Sequence, residues 1–334
     1  MHTFDEELVP NRKMRAAIIG CGRVAGGYDE KTAPEIVNTH AKAYQLQPAT
    51  ELVAAADLDV QKARKFVARW AIPAAYSDVA EMLAAEHPDI VSICTPDRTH
   101  AAMLEMCLEC PSIKAVWCEK PLATDVNEAE AIVSTYAKRG VVLAVNYTRR
   151  WNEQIQRIKR ALQRHEMGTI QKVIVYYTKG ICHNGSHAVD LLLDWFGEVS
   201  KMQLLGSHVD FVADDPTVDA HLVFGDISVY LLGLDEREYT LFEIDILGTL
   251  GRVKVKSGGQ TEWSRRQPDP DFDDYRNLSL YDSHCTTSDV QPMFLALQEI
   301  VHAAFSGVRV RSNGKSALAT LRVCRQLAEQ AIGR

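Results

Sequence analysis

Ala16-Ala17-Ile18-Ile19-Gly20-Cys21-Gly22-Arg23-Val24-Ala25-Gly26 is the stretch whose reading decides the fold. An apolar run closes in Gly20-x-Gly22-x-x-Ala25, the pattern of a buried strand, a tight turn and the opening of a helix. Gly20 permits the turn, and Gly22 lets backbone N–H groups approach a pyrophosphate. Ala25 is small enough for the helix to pack on the strand, with its positive end facing the phosphates. Arg23 and Val24 lie in the same turn and join the expected cofactor contacts.

Downstream the first half alternates. Strand signals at 15–20, 51–57, 89–94, 115–118 and 141–146 are separated by helical spacing, clearest at 60–70, 99–110 and 126–139. Such alternation predicts a parallel sheet covered on both faces, with ligands at the carboxyl ends of its strands. Asp57 closes the second strand, where a carboxylate accepts hydrogen bonds from adenosine ribose hydroxyls and repels a 2′-phosphate. Leu58 and Asp59 follow it, with no cation at once, so NAD is expected rather than NADP. Asp57 or Asp59 also reads as a helix N-cap. Gly20 and Asp57 stand 37 residues apart, where about 20 is usual. The excess lies in the polar segment 27–39, which carries Pro34 and reads as an insertion, either over the site or an inert surface excursion.

The 334 residues suffice for two domains, and 46% hydrophobic with 24% charged residues is a globular composition. A net charge of −7 argues against a nucleic-acid partner. No apolar run has membrane-spanning length, and 1–13 lack a signal-peptide core, so a tail on a cytoplasmic protein is expected. The eight cysteines read as small buried hydrophobes of a reducing compartment, and Cys107-x-x-Cys110 as part of a helix end. Segment 258–288 reads as irregular, a lid or an intersubunit arm. Its Asp269–Asp274 run lacks the glycine and glutamate of a calcium loop.

With Glu119-Lys120-Pro121 added, the chain resembles, over nearly its whole length, the Gfo/Idh/MocA family of NAD(P)-dependent sugar and cyclitol dehydrogenases. The marks are the glycine turn, Asp57, Ile93-Cys-Thr95-Pro96 with His100, Glu119-Lys-Pro121, Asn146-Tyr147-Thr-Arg-Arg150-Trp151 and Gly185-Ser-His187-x-x-Asp190. The resemblance implies an α/β Rossmann domain (1–147) and an α+β domain (148–334) with an open, mostly antiparallel sheet. It implies too a homodimer or homotetramer acting on a small sugar or cyclitol. The second half fits, with helix signals at 151–165 and 186–196 and strand signals at 169–178, 199–207, 220–224, 227–234, 239–247 and 252–256. Helices at 290–305 and 315–332 close the chain. No helix separates the middle strands, so sequence neighbours are expected to pair.

Hydride transfer from a secondary alcohol needs a base for the hydroxyl proton and a donor for the reacting oxygen. The resemblance gives His187 the first role and Lys120, after a possible cis bond to Pro121, the second. Thr95, Pro96, His100 and Glu119 are expected to border the cofactor. Tyr147, Arg150, Asn184 and Asp190 are expected beside the substrate. The family places an aspartate four residues before its catalytic histidine, and His183 stands there instead. That histidine is expected to contact substrate or relay a proton, and Asp190 to orient His187. Cys182, His183 and His187 do not make a zinc site, because adjacent 182 and 183 point apart. Two other classes share the resemblance: a non-catalytic dinucleotide-binding regulator, and a glycosidase that uses NAD transiently.

Overall fold

The structure, a computed structural model, describes residues 12–33, 35–284 and 291–333. The expected tail up to residue 11, Pro34, Cys285 and the end of the 258–288 segment lie outside them. Two compact units form, one from Met1–Trp151 with Asp289–Leu318, the other from Asn152–Ser288 with Ala319–Arg334.

The first unit holds a parallel sheet of β1 (Met14–Ile19), β2 (Thr50–Ala56), β3 (Ala74–Tyr76), β4 (Ile90–Ile93), β5 (Ala115–Cys118) and β6 (Val142–Val145). Its order is β3-β2-β1-β4-β5-β6. Every residue of β4 and β5 is buried, as strands covered on both faces require. The helices are α1 (His40–Leu46), α2 (Val60–Trp70), α3 (Val79–Glu86), α4 (His100–Leu108) and α5 (Val126–Arg139). Reading the sequence missed β3 and α3.

The glycine turn corrects one expectation. Gly20 has φ +89°, and a Cβ there would stand 2.8 Å from the Cys94 carbonyl, so only glycine fits. No helix runs unbroken from the turn. The Gly26 N–H donates to the Gly22 carbonyl, a short 3-10 turn covers Gly27–Asp29, and α1 starts only at His40. Yet the N–H groups of His40 and Ala41 donate to the carbonyls of Val24 (3.3 Å) and Ala25 (2.8 Å). In an unbroken α-helix residues 28 and 29 would make those bonds. The helix is therefore interrupted by twelve residues, 28–39, and resumes. Ala25 is fully buried, and close packing against α2 also needs Gly26, since a Cβ there would meet Trp70 Nε1 at 2.3 Å.

The insertion is tied by the buried Asp29. Its carboxylate accepts from Asn38 N (2.8 Å), Asn38 Nδ2 (2.9 Å), Thr39 Oγ1 (2.7 Å) and Thr32 Oγ1 (3.2 Å). These ties are internal to residues 28–39, which meet the rest of the unit through Val37 in its core, the Thr39 cap of α1 and the Arg69 hydrogen bond to the Glu30 carbonyl. Deleting 28–39 and joining Gly27 to His40 is expected to shift Tm by less than about 5 °C, a change of one or two kcal/mol. A far-UV CD melt checks it, and loss of cooperative unfolding would refute the spliced helix.

The second unit contains α6 (Glu153–Gln163), α7 (Ser186–Phe196) and an eight-stranded sheet. Its strands are β7 (Ile170–Tyr177), β8 (Lys201–Val212), β9 (Asp215–Phe224), β10 (Ile227–Gly233), β11 (Phe242–Gly248), β12 (Gly251–Val255), β13 (Thr261–Pro268) and β14 (Arg276–His284). The order is β14-β13-β12-β11-β7-β10-β9-β8. All pairs are antiparallel except β7 with β10. Pairing of sequence neighbours therefore fails at one place. β7, with Val173, Val175 and Tyr177 fully buried, separates β10 from β11 at the centre of the sheet. The described part of segment 258–288 is not irregular either, for β13 and β14 form a hairpin.

Two helices close the chain, α8 (Pro292–Ser306) and α9 (Gly314–Ile332). Met293, Ala296, Leu297 and Ile300 of α8 join the core of the first unit with Ile18 and Trp117. Cys324, Leu327 and Ala328 of α9 join the core of the second. The single boundary expected after residue 147 is replaced by a chain that returns to the first unit. No described helix is long and apolar enough to cross a membrane.

Candidate active site

In the first unit the expected cofactor residues gather at the carboxyl ends of β1, β2, β4 and β5. The Cys21 N–H donates to Asp57 Oδ2 at 2.9 Å, which joins the glycine turn to the carboxylate that closes β2. Nothing lies within 4 Å of where a Cβ on Gly22 would stand, so that face of the turn is open to a ligand. Gly20 is hemmed by Cys94 and Thr95 and Gly22 is open, which fits a turn that bends on one glycine and receives pyrophosphate on the other. Lys62, one turn into α2, was not foreseen. Its Nζ stands 2.8 Å from Asp57 Oδ2. Burial pushes the Asp57 carboxyl up, but hydrogen bonds from Lys62, Cys21 N and Asp59 N hold it net below the usual range.

Glu119, at the end of β5, sits in a buried polar chain. His40 Nε2 lies 2.9 Å and Asn146 Nδ2 2.5 Å from Glu119 Oε1. His40 Nδ1 lies 3.0 Å from Ser92 Oγ, which is 2.9 Å from the Tyr44 hydroxyl. Trp117 stacks obliquely on His40 (3.9 Å) and donates Nε1–H to Asn146 Oδ1. Both His40 ring nitrogens thus have a polar partner, and Ser92 links the ring to the Tyr44 hydroxyl. Every polar group of the chain then has its partner. Burial pushes the Glu119 carboxyl up, but the hydrogen bonds from His40 and Asn146 and the charge of Lys120 hold it net below its ordinary value.

Lys120 follows directly, and its bond to Pro121 is cis. His100 is fully buried rather than facing a cofactor. Its Nδ1 meets the Pro121 carbonyl (2.6 Å) and its Nε2 the Thr95 carbonyl (2.9 Å), so it braces both loops. Thr95 is half-buried, its hydroxyl 2.8 Å from that of Thr99, and Pro96 is exposed. Burial pushes the Cys94 and Cys118 thiols well above their usual value, in keeping with inert core residues.

In the second unit, residues 179–190 carry the remaining candidates. Gly180–Gly185 form one π-helical turn leading into α7, a local irregularity common at functional sites. Lys179 (φ 71°) and Gly180 (φ 72°) are both left-handed, and a Cβ on Gly180 would meet Asp215 Oδ2 at 2.1 Å. The turn is held by acids from β8 and β9. Asp215 accepts from Cys182 N (2.7 Å) and His183 N (2.8 Å), and Asp210 from Lys179 N (2.9 Å) and the Thr217 hydroxyl (2.7 Å). Asp215 thus binds the main chain at the position where the family keeps an aspartate side chain. The His183 ring packs on Phe211 (4.9 Å), and His187, on the first turn of α7, faces the Phe242 edge (6.5 Å). Asn184 Nδ2 reaches the Leu241 carbonyl at 3.4 Å.

Three expected substrate contacts are interior. Asp190 is 1% exposed and accepts from the Thr320 hydroxyl (3.3 Å). Arg150, 4% exposed, donates to the Arg311 carbonyl (2.9 Å), and Tyr147 is 1% exposed. Among the described residues no cluster of metal ligands occurs.

Residues 14–147 match a family profile described as an oxidoreductase family with an NAD-binding Rossmann fold, Gfo/Idh/MocA. The chain is 30% identical over 216 residues to D-apiose dehydrogenase of Paraburkholderia graminis, covering 60% of this chain and 54% of that one. It is 31% identical over 157 residues to D-glucoside 3-dehydrogenase of Escherichia coli, covering 47% and 41%. The chain thus spans about half the length of these relatives. A solved UDP-N-acetylglucosamine 3-dehydrogenase from Acidithiobacillus ferrooxidans superposes with TM-score 0.78 at 20% identity, over 96% of this chain and 98% of that one. At that identity the likeness shows the fold alone.

Proposed function

We propose that the chain, whose residues 14–147 match the Gfo/Idh/MocA family of oxidoreductases, is an NAD-dependent dehydrogenase of that family. Its substrate is a ring hydroxyl, or the matching ketone, of a sugar, cyclitol or nucleotide-linked sugar. The bond from Cys21 N–H to Asp57 carries the reading, since it sets the open glycine turn and a ribose-reading carboxylate in one frame. The family relatives named above as dehydrogenases of D-apiose and D-glucosides support the substrate class. NAD, when bound, supplies the hydride acceptor. The Gly20–Ala25 turn holds the pyrophosphate and Asp57 the adenosine ribose. Lys120 donates to the reacting oxygen, and His187 takes its proton. His183 and Asn184 hydrogen-bond further hydroxyls. Free cysteines throughout the described residues suit a cytoplasmic protein, and we assign a homodimer or homotetramer from the family's habit.

An NAD⁺-reduction screen at 340 nm over free sugars, cyclitols, sugar acids and nucleotide sugars, repeated with NADP⁺, tests the proposal. NADH from at least one polyol is the expected result. Binding of NAD⁺ without NADH from any polyol returns the regulator reading, and released aglycone without net NADH the glycosidase reading.

Cofactor choice rests on two side chains. Asp57→Ala is expected to raise the NADP⁺/NAD⁺ ratio of kcat/KM by about tenfold, ~1.4 kcal/mol, by removing the charge that repels a 2′-phosphate. Lys62→Ala should move the ratio the other way, because Lys62 partly neutralises Asp57. Equal ratios in all three proteins would refute the pair as the cofactor determinant.

A further inference from the structure

A cavity lies in the first unit, at the amino ends of β5 and β6. It measures about 570 Å³, within the usual range for small-molecule pockets of about 300–1,000 Å³. Its wall is apolar, formed in part by Val133, Leu143, Ala303 and Val310, and four cations line it: Lys114, Arg139, Arg309 and Lys315. No carboxylate is among the lining residues, on a chain whose net charge is −7.

Two of the four cations are already engaged. Lys114 Nζ stands 3.3 Å from Asp89, and Arg139 donates to the Leu108 carbonyl (2.7 Å) and lies 3.7 Å from Glu109. Arg309 and Lys315 are exposed and have no acidic partner among the described residues. The N-terminal end of α9 adds a small positive field, since Lys315 stands on its first turn. An apolar wall with two uncompensated cations fits a dianion carried on an apolar body, and suits neither a bare ion nor a neutral sugar.

From this we propose that the cavity is a binding site for a small organic dianion, a phosphate monoester or dicarboxylate on a ring or short chain. It is separate from the dinucleotide site, which lies at the carboxyl ends of the same strands, and does not depend on the dehydrogenase reading. The segment lining the cavity continues into contacts with the far end of β6. Ser312 Oγ donates to the Val145 carbonyl (2.7 Å), Val145 N–H to the Ser312 carbonyl (3.0 Å), and Arg150 holds the Arg311 carbonyl. A ligand that orders 307–315 therefore also steadies the residues leading to Asn146, a partner of Glu119.

Phenyl phosphate is the probe, titrated by calorimetry into the full chain with NAD⁺ present to fill the dinucleotide site. One saturable site with Kd below about 1 mM is expected, with inorganic phosphate and phenol each binding at least about tenfold more weakly. Arg309→Glu and Lys315→Glu should each weaken phenyl phosphate by about tenfold or more. Lys138→Glu, an exposed charge on α5 outside the lining, should leave it unchanged. Amide exchange should slow over 138–143 and 307–315 on binding. No saturable binding, or equal binding in the reversal variants and the control, would overturn the site. Both reversed side chains are exposed and unpaired, so these variants are expected to fold, and a CD melt of each confirms it.

Discussion

Replacing Lys120 by methionine is expected to lower kcat on the polyol found by the screen by about 10²–10³-fold, the cost of removing one positioned donor from a developing oxyanion. Methionine keeps the length and apolar stem of lysine and removes the charge. The main chain around Lys120 is braced independently, by the His100 contact with the Pro121 carbonyl on one side and by the clamped Glu119 on the other. NAD⁺ affinity should therefore change by less than about threefold, while kcat and kcat/KM fall together, the signature of an interaction made in the transition state. His187→Ala should cost about 10²–10⁴-fold if the imidazole is the general base, with part of the loss recovered by added imidazole or higher pH. Steady-state and fluorescence-titration measurements separate the two effects. Turnover within threefold of wild type in both variants would remove them from the reaction and leave only dinucleotide binding.

How far the sequence was legible follows the locality of each feature. The glycine turn, β1, β4, β5 and α7 are set by contiguous residues, and their runs and spacing could be read directly. β3 spans only Ala74–Tyr76 and is half-buried at all three positions, which leaves no periodicity to detect. β13 is wet over its second half and β14 over most of its length, so the alternation that marks a half-buried strand is missing from Arg276–His284. The central place of β7 depends on pairing across the whole second unit and leaves no local trace. The insertion was visible as excess length. That the helix resumes on the carbonyls of Val24 and Ala25 was not. At the site, His183 and His187 were found by pattern, but Asp215, which holds their turn from about thirty residues away, was not. Residues flagged as polar contacts proved interior at Asp190, Arg150 and His100, because burial is a property of packing. Lys62 lies five residues beyond Asp57 in sequence, and only the helix capped at Asp59 brings its first turn back to the strand end.

Glu119→Leu is expected to destabilise the first unit by about 3–5 kcal/mol, because removing one partner of a buried polar pair leaves the others without theirs. Leucine matches the volume, so the loss reports His40 Nε2 and Asn146 Nδ2 stripped of their acceptor more than a cavity. For a unit of this size the Tm should fall by of order 10 °C. Glu119→Gln keeps one acceptor oxygen and should cost less. The pH dependence fixes the sign. The Glu119 carboxyl is held below its ordinary value in the folded protein. Its contribution is therefore complete above the unfolded value of about 4.3 and is lost as pH falls through the lower folded value. The stability gap between wild type and Glu119→Gln, read from urea unfolding, should be constant from pH 7 to about 5 and narrow below it. A gap that widens on acidification, or a Glu119→Leu protein as stable as wild type at pH 7, would mean that the carboxylate does not anchor this chain. Lys120 would then need another explanation for its fixed place after β5.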